Sequence, residues 1–233
     1  MTAQRPWVRT TGLFYVGTIV TGVFSVYFVR SLLIVRSDAT ATAGKILGAE
    51  GLFRLGIVAE LAGIFCYVVV TALLYDMLKP VNRRVALITA FFSLVGCAVG
   101  AAQLFNDVAA LTFLKGGSHL TAFNAAQLQG LAYAFLRLSG QVNALGLLFF
   151  AVYCMLTGGL IWRSGFLPRF IGALLILSGL AWLSVNLAVM LAPTVAATLA
   201  PLSFVGILGE TALTLWLLVF GIDGAKWDAL ARA

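Results

Sequence analysis

Six long apolar stretches follow one another along the chain, separated by short segments that carry Pro, Gly, Lys or Arg. Each stretch is long enough to cross the hydrocarbon core of a bilayer, which takes about 20 residues of helix. The predicted spans cover residues 10–34, 53–78, 85–114, 130–160, 168–192 and 201–222. The pattern therefore predicts an all-α, polytopic membrane protein with six transmembrane helices, which form a single domain over residues 1–233.

The composition excludes a soluble protein and a nucleic-acid-binding one. Apolar residues make up 62% of the chain and charged residues 10%, with a mean hydropathy of +1.05. A soluble domain carries about 25% charged residues, because its surface must be hydrated. The net charge of +7 forms no long basic stripe, and the densest basic segment, residues 79–84, lies between two apolar stretches. It is typical of a topology signal that contacts anionic lipids, so membrane lipids are the expected partners.

The basic residues of the loops and chain ends predict the orientation. Nine lie on the side of the N-terminus, and three lie on the other side. Because cytoplasmic loops are enriched in Lys and Arg, both termini are predicted to be cytoplasmic, in a bacterial plasma membrane. The nine are Arg5, Arg9, Lys79, Arg83, Arg84, Arg163, Arg169, Lys226 and Arg232, and the three are Arg36, Lys45 and Lys115.

The segments outside the spans give three further predictions. The first apolar stretch is too long for the core of a signal peptide, so the first helix is expected to be retained. Residues 38–51 begin with a helix N-cap residue, Asp38, and predict a short helix on the outer surface. Residues 223–233 form a short cytoplasmic tail that is weakly amphipathic and is expected to lie along the inner surface.

Several residues of the second predicted span have a counterpart in the fourth at a constant distance along the chain, which indicates an internal repeat. The two repeat units would be spans 2–3 and spans 4–5. Because each unit crosses the membrane twice, both would have the same orientation, as in a parallel repeat. The pairs 83 residues apart are Arg54 with Arg137, Glu60 with Asn143 and Gly63 with Gly146; Ser93 and Ser178 follow at 85 residues.

Four segments resemble one known family. They are residues 37–43 (SDATATA), 50–56 (EGLFRLG), 74–83 (LYDMLKPVNR) and 163–169 (RSGFLPR). Together with six crossings over the whole length, they resemble the bacterial membrane family DUF4386, a domain of unknown function. The resemblance implies a six-helix inner-membrane protein. It supplies no activity, cofactor or catalytic residue.

Polar side chains inside the predicted spans indicate where a function would lie. Ionisable groups within a bilayer are costly, so each needs a partner, a water-filled cavity or a role. Counting residues from the outer span ends places polar groups of five helices at one depth, roughly 10 Å below the surface at 1.5 Å per residue. We predict that they line one outward-facing pocket. Its residues are Arg54, Glu60, Gln103, Asn106, Asp107, Arg137, Gln141, Asn143, Asn186 and Glu210.

Three interpretations of these residues stay open at this point. The carboxylates of Glu60, Asp107 and Glu210 could pair with Arg54 and Arg137 as structural contacts between helices, in a protein that only interacts with others. Alternatively, the pocket holds a small polar or amphipathic ligand, as in a small transporter, a ligand sensor or an accessory subunit. A third class is a membrane enzyme acting on a lipid or quinone, with Asp107 or Glu60 as general acid or base.

The sequence predicts neither a metal nor a cofactor. His119 is the single histidine, so a haem with two histidine ligands, a His-rich zinc site and an HExxH protease are excluded within one chain. The glycine patterns of Walker and Rossmann sites are absent from the sequence. The pair Gly158-Gly159 is instead expected to permit close packing of helices.

Overall fold

The computed structural model describes residues 6–232, apart from the side chain of Pro193. Arg5, which entered the count of basic residues, lies outside the described residues. Within residues 6–232 the fold is all-helical, and six helices are long and apolar enough to span a membrane. The protein is therefore a multi-pass membrane protein, as predicted. The spans are Pro6–Leu33, Glu50–Leu78, Arg83–Lys115, Ala125–Ser164, Arg169–Leu191 and Leu202–Val219, called the first to the sixth span below.

Local capping explains why two spans are longer than their apolar stretches. The fourth span begins after Asn124, whose side chain accepts a hydrogen bond from the Gln127 backbone N–H at 2.9 Å. The Gln127 side chain accepts one in return from the Asn124 N–H, which completes a capping box. Asn82 caps the third span: its side chain accepts a hydrogen bond from the Val85 N–H at 3.0 Å. These caps satisfy free backbone N–H groups at the start of each helix, so each helix begins before its apolar stretch does.

Four short helical segments connect or follow the spans. The predicted surface helix is present as Ala39–Gly48, with Asp38 as its N-cap residue. The other three are a 3₁₀ turn at Ser118–Leu120, a helix at Pro193–Leu199 and a helix at Gly224–Arg232 in the predicted tail.

The six spans form a closed ring. Each span packs against the next one along the chain, and the sixth packs against the first. Successive spans run in opposite directions, so the bundle has two ends. We call the end with Pro6, Leu78 and the helix Gly224–Arg232 the terminal end, and the end with Leu33, Glu50 and Lys115 the distal end.

The terminal end is held together by aromatic side chains and by backbone hydrogen bonds. The ring centroids of Trp7 and Trp227 lie 5.8 Å apart, and the Trp227 indole N–H donates to the Met77 carbonyl at 2.9 Å. The Asp223 N–H donates to the Phe166 carbonyl at 3.1 Å. The last helix is therefore fastened to the first and second spans, and the residue before it to the loop between the fourth and fifth spans.

The fourth and fifth spans cross at glycine residues. A Cβ added at Gly158 would lie 2.5 Å from the Gly172 carbonyl oxygen, closer than real Cβ contacts permit. The expected packing role of Gly158 is thus confirmed, whereas Gly159 faces open space. The rigid crossing positions the fourth span, which carries Ser139 and Tyr153 into the bundle.

The first span changes its helical geometry before it ends. Residues Phe24–Arg30 form a π-helical segment, in which hydrogen bonds run from i to i+5. Each such turn contains one more residue than an α turn, so the segment changes which face of the span points inward. Ser25 and Val29 are buried on its inner face, and Arg30 ends it.

The predicted repeat is matched at some positions and not at others. Gly63 and Gly146 each pack closely against the preceding span, and Ser93 and Ser178 are fully buried. Glu60, however, is partly buried in the bundle, while its counterpart Asn143 is exposed. The repeat stays a prediction.

Candidate functional site

The buried polar side chains form two separate clusters rather than one layer. The first, the Arg30 cluster, joins the first four spans in the distal half of the bundle. The second, the Glu210 cluster, lies nearer the middle and joins the first, second, fourth and sixth spans. The Arg30 cluster consists of Ser25, Arg30, Glu60, Gln103, Asp107 and Ser139, and the Glu210 cluster consists of Glu210, Tyr15, Tyr67 and Tyr153.

Arg30 is the cation around which the first cluster is arranged. Its Nη2 lies 2.5 Å from Asp107 Oδ2 and 3.8 Å from Glu60 Oε2. The same nitrogen donates to Ser139 Oγ at 3.0 Å. One guanidinium thus faces two carboxylates, which leaves the cluster with a formal charge of −1 when both are ionised.

Neutral side chains hold the Glu60 carboxylate in place. Ser25 Oγ donates to Glu60 Oε2 at 3.0 Å, and Gln103 Nε2 donates to Glu60 Oε1 at 2.8 Å. The amide orientation of Gln103 follows from this contact, because only its NH₂ group donates to a carboxylate. Its carbonyl oxygen therefore points away from Glu60.

Two buried acceptors in the Arg30 cluster have no hydrogen-bond partner among the described residues. They are Gln103 Oε1 and Asp107 Oδ1, and each residue is only 2% exposed. Leaving a buried polar atom unpaired costs about 1–3 kcal/mol. The side chains of Arg30 and Glu60 are 20% and 21% exposed, so the cluster reaches the surface of the bundle at these two residues. The unpaired oxygens mark a place for a hydrogen-bond donor.

The Glu210 cluster surrounds a carboxyl group with phenol groups. The hydroxyls of Tyr67 and Tyr15 both donate to Glu210 Oε1, the latter at 3.3 Å. The hydroxyls of Tyr15 and Tyr153 lie 2.7 Å apart. Within residues 6–232, no Lys, Arg or His nitrogen lies within 4.0 Å of this carboxyl group. Hydroxyl groups take the place that Arg30 has in the other cluster.

The two clusters lie at different depths. Tyr67 follows Glu60 by seven residues on the second span, which corresponds to about 10 Å along a helix. Glu210 contacts Tyr67 and is therefore closer to the terminal end than Glu60 is. The expectation that Glu210 shares the level of Glu60 and Asp107 is not met. The sixth span has only 18 residues, so counting from its distal end misplaced Glu210 relative to the longer spans.

The expected ion pairs are also different in the structure. Arg54 bonds to Glu50 at 2.7 Å instead of to an embedded carboxylate, and Lys115 bonds to the same Glu50 oxygen at 3.0 Å. Both cations lie at the distal rim of the bundle, where they line a groove of about 180 Å³ between the second and third spans. Arg137 is exposed. Arg30, which is not among the predicted pocket residues, is the residue that pairs with Asp107 and Glu60.

The remaining predicted pocket residues do not join either cluster through a hydrogen bond. Gln141 and Asn143 are exposed on the fourth span, and Asn106 is partly buried on the third. Asn186 is 4% exposed, but its amide donates to the Trp182 carbonyl on its own helix at 2.7 Å. Of the ten predicted residues, the structure thus brings together Glu60, Gln103 and Asp107.

Sequence reasoning missed several residues that complete the clusters. Arg30 was visible as the one cation within the first predicted span, and Ser25 precedes it by five residues. The three tyrosines had no distinguishing signal, because membrane proteins commonly place Tyr at the interface. Within residues 6–232, no group of three His, Cys, Asp or Glu side chains is arranged to hold a metal ion.

Comparison with known proteins identifies the family and leaves the activity open. The family model of DUF4386, a domain of unknown function, matches residues 10–221. An uncharacterised protein of Archaeoglobus fulgidus is 25% identical over 128 residues, which cover 53% of this chain and 63% of that relative. The chain thus spans less than two thirds of that relative's length. No solved structure matches the chain. The chain belongs to the DUF4386 family.

Proposed function

We propose that this member of the DUF4386 family binds a small polar ligand in the Arg30 cluster, as a transporter, a ligand sensor or an accessory subunit. It would reside in a bacterial plasma membrane with both termini in the cytoplasm. This orientation makes the distal end the outer end, so the ligand would enter from outside through the region of Arg30 and Glu60. The excess of basic residues at the terminal end supports the orientation.

The unpaired oxygens of Gln103 and Asp107 carry this proposal. A cluster that served only to join helices would gain nothing from leaving two buried acceptors without donors. A ligand with N–H or O–H groups would supply the missing hydrogen bonds. Because two carboxylates face one guanidinium, a cation is favoured over an anion. A small primary ammonium combines both properties.

The proposal is tested by thermal unfolding of the detergent-purified protein with two cations. Methylammonium carries N–H donors, whereas tetramethylammonium has the same charge and none. We expect methylammonium to raise the melting temperature in a saturable way, because a ligand that binds only the folded state stabilises it. Tetramethylammonium should have no such effect. Equal shifts with both cations, or no shift with either, would contradict the proposal.

Variants connect that stabilisation to the Arg30 cluster. Asp107→Asn and Glu60→Gln keep the side-chain size but remove a negative charge, and each should abolish the shift produced by methylammonium. Asp76→Asn is the matched control, because Asp76 is an exposed carboxylate that pairs with Lys79 near the terminal end. If Asp107→Asn fails to fold, Glu60→Gln still tests the site, because the Glu60 side chain is 21% exposed.

Native mass spectrometry of the purified protein distinguishes the other interpretations. A co-purified small amine would support the proposal. A bound acyl or isoprenoid tail would support the enzyme alternative, in which Asp107 or Glu60 acts on a lipid or quinone. A protein without any bound molecule, combined with no response to methylammonium, would leave the purely structural interpretation.

A further inference from the structure

The Glu210 cluster contains a carboxyl group that has no counter-charge nearby. Its ionisable neighbours are the phenols of Tyr15, Tyr67 and Tyr153 and the thiols of Cys97 and Cys154. Groups of both kinds are ordinarily uncharged at neutral pH. A bare carboxylate within a bilayer is costly, and a carboxylic acid is much less so. The surroundings of Glu210 therefore suit a bound proton.

A small cavity lies beside the cluster on the side of the terminal end. Its volume of about 10 Å³ is room for a single water molecule. Tyr153 and Thr157 both line it, one helical turn apart on the fourth span. Thr157 is fully buried, and its Oγ1 has no hydrogen-bond partner among the described residues. A water molecule in the cavity would satisfy this oxygen.

The cavity extends towards the terminal end of the bundle. Its wall includes Leu78, the last residue of the second span, and Ala86, in the first turn of the third. Thr71 and Thr89 also line it. The cavity thus extends from Tyr153 to the region where the second span ends and the third begins.

We propose that Glu210 is an intramembrane proton-binding site that exchanges protons with the terminal end through Tyr15, Tyr153, a water molecule in the cavity and Thr157. During uptake, Tyr15 gives its hydroxyl proton to Glu210 Oε1 and receives one from Tyr153. Tyr153 is replenished by the cavity water, the water by Thr157, and Thr157 from solution at the terminal end. Each oxygen loses one proton and gains one, so the net change is transfer of one proton from the terminal side to the carboxylate.

This site is separate from the ligand site proposed for the Arg30 cluster. No residue is shared between the two clusters, and the hydrogen-bonded path from Glu210 leads away from Arg30. Loss of methylammonium binding would therefore leave the proton site intact, and the two proposals fail independently.

The proton site is tested by infrared spectroscopy of the protein in liposomes during exchange into D₂O. At neutral pH we expect a carboxylic acid carbonyl band that Glu210→Gln removes. The band should shift as the proton exchanges for deuterium. Tyr153→Phe and Thr157→Val should each slow this exchange about tenfold, because each removes one hydroxyl of a buried hydrogen-bonded path.

Matched variants distinguish a specific path from general loosening of the fold. Tyr27→Phe and Thr112→Val make the same chemical changes at exposed positions and should leave the exchange rate unchanged. Circular dichroism before and after exchange reports whether each variant is folded. The proposal is overturned if Glu210→Gln removes no band, or if folded Tyr153→Phe and Thr157→Val both exchange at the wild-type rate.

Discussion

The Arg30 cluster and the Glu210 cluster place carboxyl groups inside the same bundle by different means. In the first, Asp107 and Glu60 face a guanidinium at 2.5 Å and 3.8 Å. In the second, Glu210 has only hydroxyl donors around it. The comparison shows that burial alone does not determine what an embedded carboxyl does. The neighbouring donor decides whether it is held as an anion or as a neutral acid.

The two clusters also differ in access. Arg30 and Glu60 are each about one fifth exposed, so a molecule of several atoms can approach them. Tyr15 and Tyr153 are 0% and 1% exposed, and the adjoining cavity has room for only one water molecule. The Arg30 cluster is therefore suited to a ligand, and the Glu210 cluster to a proton.

The largest effect on stability is expected from Arg30→Ala. Removing the guanidinium leaves Asp107 as a buried charge without its partner, which typically costs about 3–5 kcal/mol. Chemical unfolding in mixed micelles measures the loss. Arg54→Ala is the control, because Arg54 forms an exposed ion pair with Glu50 and should cost less than about 1 kcal/mol. Similar losses of free energy of unfolding for the two variants would contradict the expectation that the buried ion pair stabilises the fold more than the exposed one.

A smaller effect is expected from Glu210→Gln. If Glu210 carries a proton, glutamine replaces one neutral acceptor with another, and Tyr15 and Tyr67 keep a carbonyl oxygen to donate to. The loss should not exceed about 1 kcal/mol, the usual value of one hydrogen bond. The same unfolding assay, applied to Glu210→Gln and Arg30→Ala in parallel, compares the loss of free energy of unfolding between the two clusters. A loss as large as that of Arg30→Ala would show that Glu210 is held as an anion.

The smallest effect is expected at positions that sequence reasoning included and the structure leaves outside both clusters. Asn143→Ala changes an exposed side chain and should alter stability by no more than about 0.5 kcal/mol. It should also leave the response to methylammonium unchanged. Loss of that response in a folded Asn143→Ala protein would mean that the site extends beyond the Arg30 cluster.

The architecture could be predicted from sequence because the bilayer imposes a simple length rule. Six apolar stretches of sufficient length became six spans, with ends that moved by up to five residues. Part of the site was also predictable: Gln103 and Asp107 are four residues apart, so they share a helix face, and both contribute to the Arg30 cluster.

The rest of the site could not be predicted, for two physical reasons. The π-helical segment at Phe24–Arg30 changes the face of the first span, and nothing in the hydropathy pattern indicated it. Depth was counted from the distal ends of the spans, whereas the spans differ in length from 18 to 40 residues. Counted from the terminal end instead, Glu210 lies nine residues before Val219 and Tyr67 eleven before Leu78, which agrees with their contact.

The central contrast is tested most directly by the infrared carbonyl region of three proteins at neutral pH: wild type, Glu210→Gln and Asp107→Asn. We expect a carboxylic acid band in the wild type that is lost in Glu210→Gln and retained in Asp107→Asn. A band that disappears in Asp107→Asn and persists in Glu210→Gln would contradict this expectation, because the buried proton would then lie beside Arg30.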